Sequence, residues 1–411
     1  MRKKVDVLVI GAGPAGSIAA ALIHKQGYSV RVVERDKFPR FVIGESLLPR
    51  CMEVLEDADL LDVLKAQNFQ EKFGAKFMKG DLVTDFRFDD QYSKGWTWTW
   101  QVQRANFDLT LISEVERRGV EVDFETTVTE IEILHDESSI TTVQTKEGRE
   151  KQIEARFIVD ASGFGRVIPR MFNLDKPAHL PARTSIFAHV QDVNRDSHDE
   201  PNRIIAVMYA PGVWTWIIPL SGGITSLGFV GSANFFDKHK GDLTQKFRSC
   251  IDGNNYLRKR FSDVPLAFEP RKLEAWSVTT DKFYGNGFVL TGNVTEFLDP
   301  IFSSGVMFAA VSSQLASQLV VRKLSGHNIN WDEEYTNVLR RGVDTFRTFV
   351  VAWYDGTLER IFFSRDQDPV VKRQICSVLA GYVWDETNPF VRAHEKAVSR
   401  LARLIDVREN S

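Results

Sequence analysis

Three glycines, Gly11, Gly13 and Gly16, stand in the stretch "VLVIGAGPAGSIAAALI", and an acid, Glu34, follows 18 residues beyond the last of them. Those residue types at those intervals suit the holding of a dinucleotide. Gly11 permits a tight turn, Gly13 lets a pyrophosphate approach the backbone, and Gly16 lets a helix pack closely on a strand. Pro14 and Ala15 lie inside the same turn, where phosphate charge faces a helix N-terminus. Glu34 is placed to accept hydrogen bonds from an adenosine ribose, and an acid there disfavours a 2′-phosphate. NADP is therefore the poorest fit at this site, while NAD and FAD both remain. A second helix start, Ser304-Gly305, stands near the head of an uncharged run from Pro300 to Val321. Free amides at such a start suit an anion, or an electron-rich ring when no anion is present.

Several elements must position these groups. Val5 to Ile10 reads as a buried strand, the glycines open a helix to about Gln26, and Tyr28 to Val33 is the next strand. From Leu47 to Leu64 apolar residues recur at helical spacing. "GWTWTWQVQRANFDLTLISEVERRG" switches from period two to a helical period, which marks a strand and then a helix from about Arg104 to Arg118. "ARFIVDASGFGR" and "KFYGNGFVLTGNVTEFLDPIFSSGV" each return to a strand and a glycine turn. Sheet-forming segments separate these pieces. The expected fold class is therefore α/β: a Rossmann-like dinucleotide domain built from residues 1–75, 101–183 and 275–330, with a sheet-rich substrate domain (76–100 and 184–274) inserted. Residues 331–411 form a mainly helical C-terminal region.

Composition narrows the function. The 411 residues carry a formal net charge of −3, which offers nothing to nucleic acid. Cys51, Cys250 and Cys376 share no metal-ligand spacing and fit a reduced, cytoplasmic compartment, with no metal expected. "MRKKVDVLVIGAG" has a basic start and an apolar stretch, but it reads as a strand feeding the nucleotide turn and not as a signal peptide. The run after Pro300 is long enough to cross a bilayer, yet its five serines and two glutamines suit a buried helix aimed at a ligand. No transmembrane segment is expected.

Beyond these readings, the chain resembles the flavin-dependent halogenases, within the aromatic-hydroxylase-like and geranylgeranyl reductase-like flavoproteins. The resemblance rests on the glycine fingerprint with Glu34, "GESLLP" at 44–49, "EKFGAKF" at 71–77, "QVQRANFD" at 101–108, "VDASG" at 159–163, "WTWIIP" at 214–219, "LDPIFSSGV" at 298–306 and "GYVWDETNPFV" at 381–391. "WTWIIP" satisfies the Trp-x-Trp-x-Ile-Pro signature that separates halogenase-like members from hydroxylases, and it favours FAD over NAD.

The resemblance implies residue roles. Arg35, Arg40, Gly44, Glu45, Ser46, Arg104, Ala161, Gly163, Asn293, Pro300, Gly305 and Val306 join the glycine turn as FAD contacts, while Asp160 organises the cofactor domain. Ser303, Ser304 and Gly305 match halide-binding positions. Lys72 matches the lysine that receives hypohalous acid after halide attacks the hydroperoxide of reduced FAD. By spacing alone, Lys72 reads equally as a surface lysine between Glu71 and a strand. Trp214 and Trp216 alternate on one strand face, as core or as the wall of the passage between flavin and substrate. Trp96, Trp98 and Trp100 form a second such stripe, and Trp98 and Trp100 are candidates for lining an aromatic or apolar substrate. Phe302 stands where tryptophan halogenases place a glutamate, which points to phenols or pyrroles. Electrons would come from a separate flavin reductase or from transient NAD(P)H binding.

Two departures accompany the resemblance. Asn293 replaces an aspartate that hydrogen-bonds the ribityl chain, and Glu296 replaces a small residue close to the cofactor or entry channel. Halogenation, hydroxylation or double-bond reduction on the same scaffold, and flavin binding without turnover are the functions left open.

Overall fold

A computed structural model describes residues 3–409. Met1 and Arg2 of the basic start lie outside the described residues. Val7-Leu8-Val9-Ile10 is an unbroken aliphatic run, and each of the four is buried, as a strand covered on both faces requires. Its strand, Lys3–Ile10, sits inside a sheet ordered Tyr284–Gly285, Phe288–Leu290, Glu150–Asp160, Lys3–Ile10, Val30–Val33, Glu121–Asp123. The last five run parallel. A hairpin of Thr126–Ile133 and Ser139–Thr145 extends the sheet antiparallel along Glu150–Asp160.

Register decides where the site forms. Ile10 pairs with both Val33 and Asp160, and Asp160 pairs with Leu290, so these four strands end at one edge. Gly11, Glu34, Ala161 and Thr291 follow them there, at the carboxyl ends where open α/β sheets bind ligands. Gly11 takes φ +99° at the turn, a conformation that L side chains rarely adopt. A Cβ on Gly16 would lie 1.8 Å from the Gly11 carbonyl oxygen, so the helix Pro14–Lys25 approaches the strand as closely as only glycine allows. That helix packs on Ser304–Leu324, which is the one described helix long and apolar enough to cross a membrane; 67% of its most apolar stretch is buried inside the protein.

A second sheet of seven strands stands apart from the first, ordered Arg271–Glu274, Thr184–Gln191, Ile224–Gly231, Val213–Pro219, Ile205–Ala210, Gly74–Lys79, Leu82–Arg87. One face carries Trp214 and Trp216 and joins the main core; the other carries Ile205, Val207, Ile217, Leu227 and Phe229 into a separate core beneath the helices Leu243–Asp252 and Asn255–Phe261. The C-terminal region is helical, with Asn337–Tyr354, Pro369–Leu379 and His394–Glu409 as its longer elements.

Two local expectations change. The periodic stretch from Leu47 to Leu64 is two helices, Arg50–Asp57 and Leu61–Lys65, because Asp59 takes φ +54° between them and stops the first. The tryptophan stripe is not a single strand face. Only Thr99–Gln101 is extended, and Trp98 meets its neighbours Trp96 and Trp100 edge-on at 5.5 and 5.4 Å.

Candidate functional site

One cavity joins most of the residues singled out in the sequence. Gly11, Gly13, Pro14, Ala15, Glu34 and Arg35 line one part of it; Arg40, Gly44, Glu45, Ser46, Arg104, Ala161 and Gly163 follow; Asn293, Pro300, Phe302, Ser303, Gly305 and Val306 complete it with Lys72, Trp214 and Trp216. Gly16 stands behind the turn, and Ser304 is buried at the helix start; neither lines the cavity. Trp98 and Trp100 line a different cavity, which meets the first at Lys72.

The glycine-turn end is built for an anion. Arg104 grips Asp108 through Nε and Nη2 at 2.8 and 2.9 Å, and Arg40 Nη1 reaches the same carboxylate at 2.9 Å. Two guanidiniums thus share one buried carboxylate, with Asp36 3.9 Å from Arg40 Nε, and Arg40 Nη2 lies on the side toward Gly13. A Cβ placed on Gly13 would lie 3.5 Å from Arg40 Nη2 and touch nothing closer, so the space before this backbone is open. Asp108 was not among the sequence candidates, although its position one helical turn after Arg104 is the spacing at which opposite charges meet. Glu34 is held ready: Oε2 accepts from the Ala12 N–H at 2.8 Å and Oε1 from the Asp36 N–H at 2.9 Å, leaving further lone pairs for a ribose. Asp160 accepts from the Ser162 and Ile168 N–H groups at 2.9 and 2.8 Å, fixing the turn that carries Ala161 and Gly163.

Farther along, Glu45 Oε1 pairs with His189 Nε2 at 2.7 Å, while Glu45 Oε2 is buried without a partner. Ser303 takes φ +58° and caps the helix Ser304–Leu324, whose first backbone N–H groups have no intrahelical acceptor. A pyrophosphate, a ribose and an anion-seeking helix start are all provided for, and the residues fit FAD. Glu296 does not face this space. Its carboxylate pairs with Arg347 of the helix Asn337–Tyr354, so the departure noted in sequence is an ion pair that fastens that helix to the loop.

Lys72 is no surface residue. The strand Gln70–Lys72 pairs with Thr99–Gln101 and turns the side chain inward, where Lys72 is 3% exposed. Its Nζ donates to Ser46 Oγ and to the Leu47 carbonyl, both at 2.8 Å, and stands 5.4 Å from the Phe88 ring centre. Burial pulls its pKa from 10.5 down to about 7. Phe77 and Phe88 line the cavity beside it, and Phe77 packs on Phe302 at 6.4 Å. Trp216 lies flat over Gly228, where a Cβ would come within 2.2 Å of the indole, and donates to Ser226 Oγ at 3.1 Å.

A buried chain of hydrogen bonds, not visible in sequence, supports the loop before Ser303. Trp214 Nε1 donates to Tyr354 Oη at 3.0 Å, and Tyr354 donates to Asp299 Oδ2 at 2.9 Å. Asp299 Oδ1 accepts from the Ile301 N–H at 3.1 Å. Burial pushes the Asp299 carboxyl from 3.8 up to about 6, against the opposing pull of Ile301, Tyr354, Arg183 and Trp276. Its folded value lies above its unfolded one, so its contribution to stability is present below 3.8 and is lost as pH rises through about 6. Tyr354→Phe removes a donor to the charged form. The expected result is that this loss extends to higher pH, read from melting temperatures across the acid range; an unchanged profile would remove Tyr354 from the network.

Comparison with known proteins agrees with this geometry. The FAD binding domain family matches residues 4–280. The structure of a flavoprotein/dehydrogenase from Cytophaga hutchinsonii is 53% identical, with a TM-score of 0.97 and coverage of 99% of this chain and 100% of that one. The myxobacterial chondrochloren halogenase is 26% identical, with a TM-score of 0.79 over 98% of this chain and 97% of that one. A pyrrole-2-carbonyl peptidyl-carrier-protein chlorinase of Pseudomonas fluorescens is 29% identical over 409 residues, covering 92% of this chain and 89% of its own length. With a family match over most of its length and a cavity that fits the cofactor, the chain belongs to the FAD-binding-domain family, is similar to its flavin-dependent halogenases, and is an FAD-dependent oxidoreductase.

Proposed function

We propose that this flavoprotein halogenates a small aromatic substrate, with Lys72 delivering the halogen. The observation that carries the reading is a buried lysine on the wall shared by two cavities, one fitted for FAD and one lined by Trp98 and Trp100. Bound FAD, when reduced, would activate dioxygen, the oxidant that turns halide into hypohalous acid as the flavin is reoxidised and water is released. The chain's own residues do the rest. Gly11 to Ala15, Glu34, Arg40 and Arg104 hold the dinucleotide; Asn293 offers an acceptor along it. Ser303 and the Gly305 amide, which line the cavity, hold the halide, with Ser304 buried behind them. Trp214, Trp216 and Phe302 wall the passage and exclude water from it.

Lys72 receives hypohalous acid at its Nζ. Below about pH 7 the ammonium donates a hydrogen bond to it, and above that value the amine lone pair is free to carry the halogen. The ring carbon takes the halogen and gives up a proton, which leaves as water with the hydroxyl of the hypohalous acid or, where the amine has carried the halogen and water has already left, returns to Lys72 Nζ. Phe302 cannot accept that proton, so the ring must carry its own activating group, as phenols and pyrroles do. Electrons come from a separate reductase or from transiently bound NAD(P)H. A cytoplasmic setting suits the three cysteines, all free and buried.

The test is mass spectrometry of mixtures in which FAD-loaded enzyme is chemically reduced and given oxygen, bromide and a panel of phenols and pyrroles. A brominated product that scales with bromide is expected. Hydroxylated or double-bond-reduced products formed independently of halide would replace the halogenase reading with one of its scaffold relatives.

A further inference from the structure

The surroundings of Lys72 match its donor count in one protonation state only. Among the described residues Nζ has two hydrogen-bond acceptors, Ser46 Oγ and the Leu47 carbonyl, both at 2.8 Å. An ammonium brings three hydrogens and leaves one without a polar acceptor. The Phe88 ring, whose centre is 5.4 Å from Nζ, is a weak substitute. A neutral amine brings two hydrogens and a lone pair. Both hydrogens are then held, and the lone pair is the one valence of Nζ left over.

Backbone pairing builds this match. The strand Thr99–Gln101 carries Lys72 on one edge, where Lys72 pairs with Thr99. On the other edge Ser46 bridges to Gln101, and the Leu47 N–H donates to the Trp100 carbonyl at 3.0 Å. Arg104 Nη1 fixes the approach to that segment by donating to the Ile43 and Gly44 carbonyls at 3.2 and 3.3 Å. Donor and acceptors are thus mounted on a single strand. Ser46 is buried, and among the described residues its Oγ has no hydrogen-bond partner besides Nζ. Two further titratable groups act on Nζ. The Cys51 thiol, on the helix Arg50–Asp57, is pushed up to about 11 by burial, and the Arg203 guanidinium favours the neutral amine.

We propose that Ser46 is the positioning residue of Lys72: its hydroxyl and the Leu47 carbonyl clamp both amine hydrogens, so that the lone pair alone is presented to an electrophilic halogen. Ser46, which the family resemblance assigns to FAD, then serves the lysine. The inference rests on the halogenase reading for the identity of the electrophile. In that reading Nζ bonds to the halogen of hypohalous acid as the halogen–oxygen bond breaks, and the departing hydroxide takes one amine hydrogen and leaves as water. The clamp itself does not depend on that step.

The test compares wild type, Ser46→Ala and Ser46→Thr as full chains loaded with excess FAD. NMR of lysine isotopically labelled at Cε follows the titration of Lys72, with Lys72→Met identifying its signal. A hydroxyl that accepts from Nζ favours the charged form. Ser46→Ala is therefore expected to lower the proton affinity of Lys72 by on the order of tenfold, and Ser46→Thr to restore it. An unmoved titration overturns the clamp, and so does a rise, which would mean that the hydroxyl donates into the lone pair. Bromination across pH gives the second reading. Above the Lys72 midpoint, where both proteins hold the neutral amine, Ser46→Ala is expected to lower kcat by on the order of tenfold with KM for the aromatic substrate unchanged. A role confined to charge or to packing leaves that alkaline plateau intact, and an intact plateau overturns the positioning role. Wild-type protein that makes no brominated product ends the halogenase reading, while the titration still decides whether Ser46 holds the amine.

Discussion

Replacing Lys72 with methionine should abolish halogenated product while reduced flavin is still reoxidised by oxygen at close to the normal rate. Methionine matches the length of the lysine stem and fills the same buried space, so the comparison isolates Nζ. Loss of a group that hydrogen-bonds the reacting species costs on the order of a hundredfold or more in rate. Product formed at an undiminished rate would remove Lys72 from the chemistry. The same substitution has a second expected result, of opposite sign. The folded pKa of Lys72, about 7, lies below its ordinary 10.5, so the unfolded chain binds the extra proton between those values and stability rises with pH across that window. At neutral pH the wild-type protein therefore carries a cost on the order of a few kcal/mol for burying this amine. Lys72→Met should melt higher than wild type near pH 7, with the gap narrowing toward alkaline pH. A variant that is inactive and less stable at every pH would identify Lys72 as a structural residue.

Gly13→Val should empty the protein of FAD without unfolding it. The backbone at Gly13 has φ −70° and ψ −174°, which any residue adopts, and the nearest atom to an added Cβ is Arg40 Nη2 at 3.5 Å. A branched side chain therefore fits the protein but occupies the space in front of the turn that faces the arginine pair. Affinity for FAD should fall by on the order of a hundredfold, since the pyrophosphate loses both its close backbone approach and its access to Arg40. Equilibrium dialysis against FAD checks this, with circular dichroism reporting the fold. Unchanged affinity in a folded variant would move the pyrophosphate elsewhere.

The dinucleotide half of the site was legible because its chemistry belongs to backbone geometry at short range. Gly11, Gly13, Gly16 and Glu34 follow one another along a strand, a turn, a helix and a strand, and the parallel register carries them to one edge. The Arg104 to Asp108 pair lies within the same reach, but opposite charges one helical turn apart occur on many surface helices and do not by themselves mark a site. What was not legible depends on chain segments that meet only after folding. Gln101 finds the Pro219 carbonyl 118 residues away, and Tyr354 finds Asp299 across 55. No periodicity encodes such meetings. Glu296 shows the opposite error: a departure from a family pattern drew attention toward the cofactor, while its carboxylate serves Arg347, 51 residues on. The tryptophan stripe misled because alternation in sequence implies one strand face only where the backbone stays extended, and it does so only from Thr99.

The Trp214, Tyr354 and Asp299 chain also bears on how the molecule can be divided. Its three members come from the central strand of one sheet, from the last residue of a C-terminal helix, and from the turn before Ser303. The Glu296 to Arg347 pair ties the same helix to the opposite side of that loop's approach. The helix thus acts as a keystone between two otherwise separate arches. The C-terminal region is not a detachable appendage on an FAD-binding core: a chain cut back to the family-matched residues 4–280 would keep the glycine turn but lose Asp299, Ser303 and Tyr354 together.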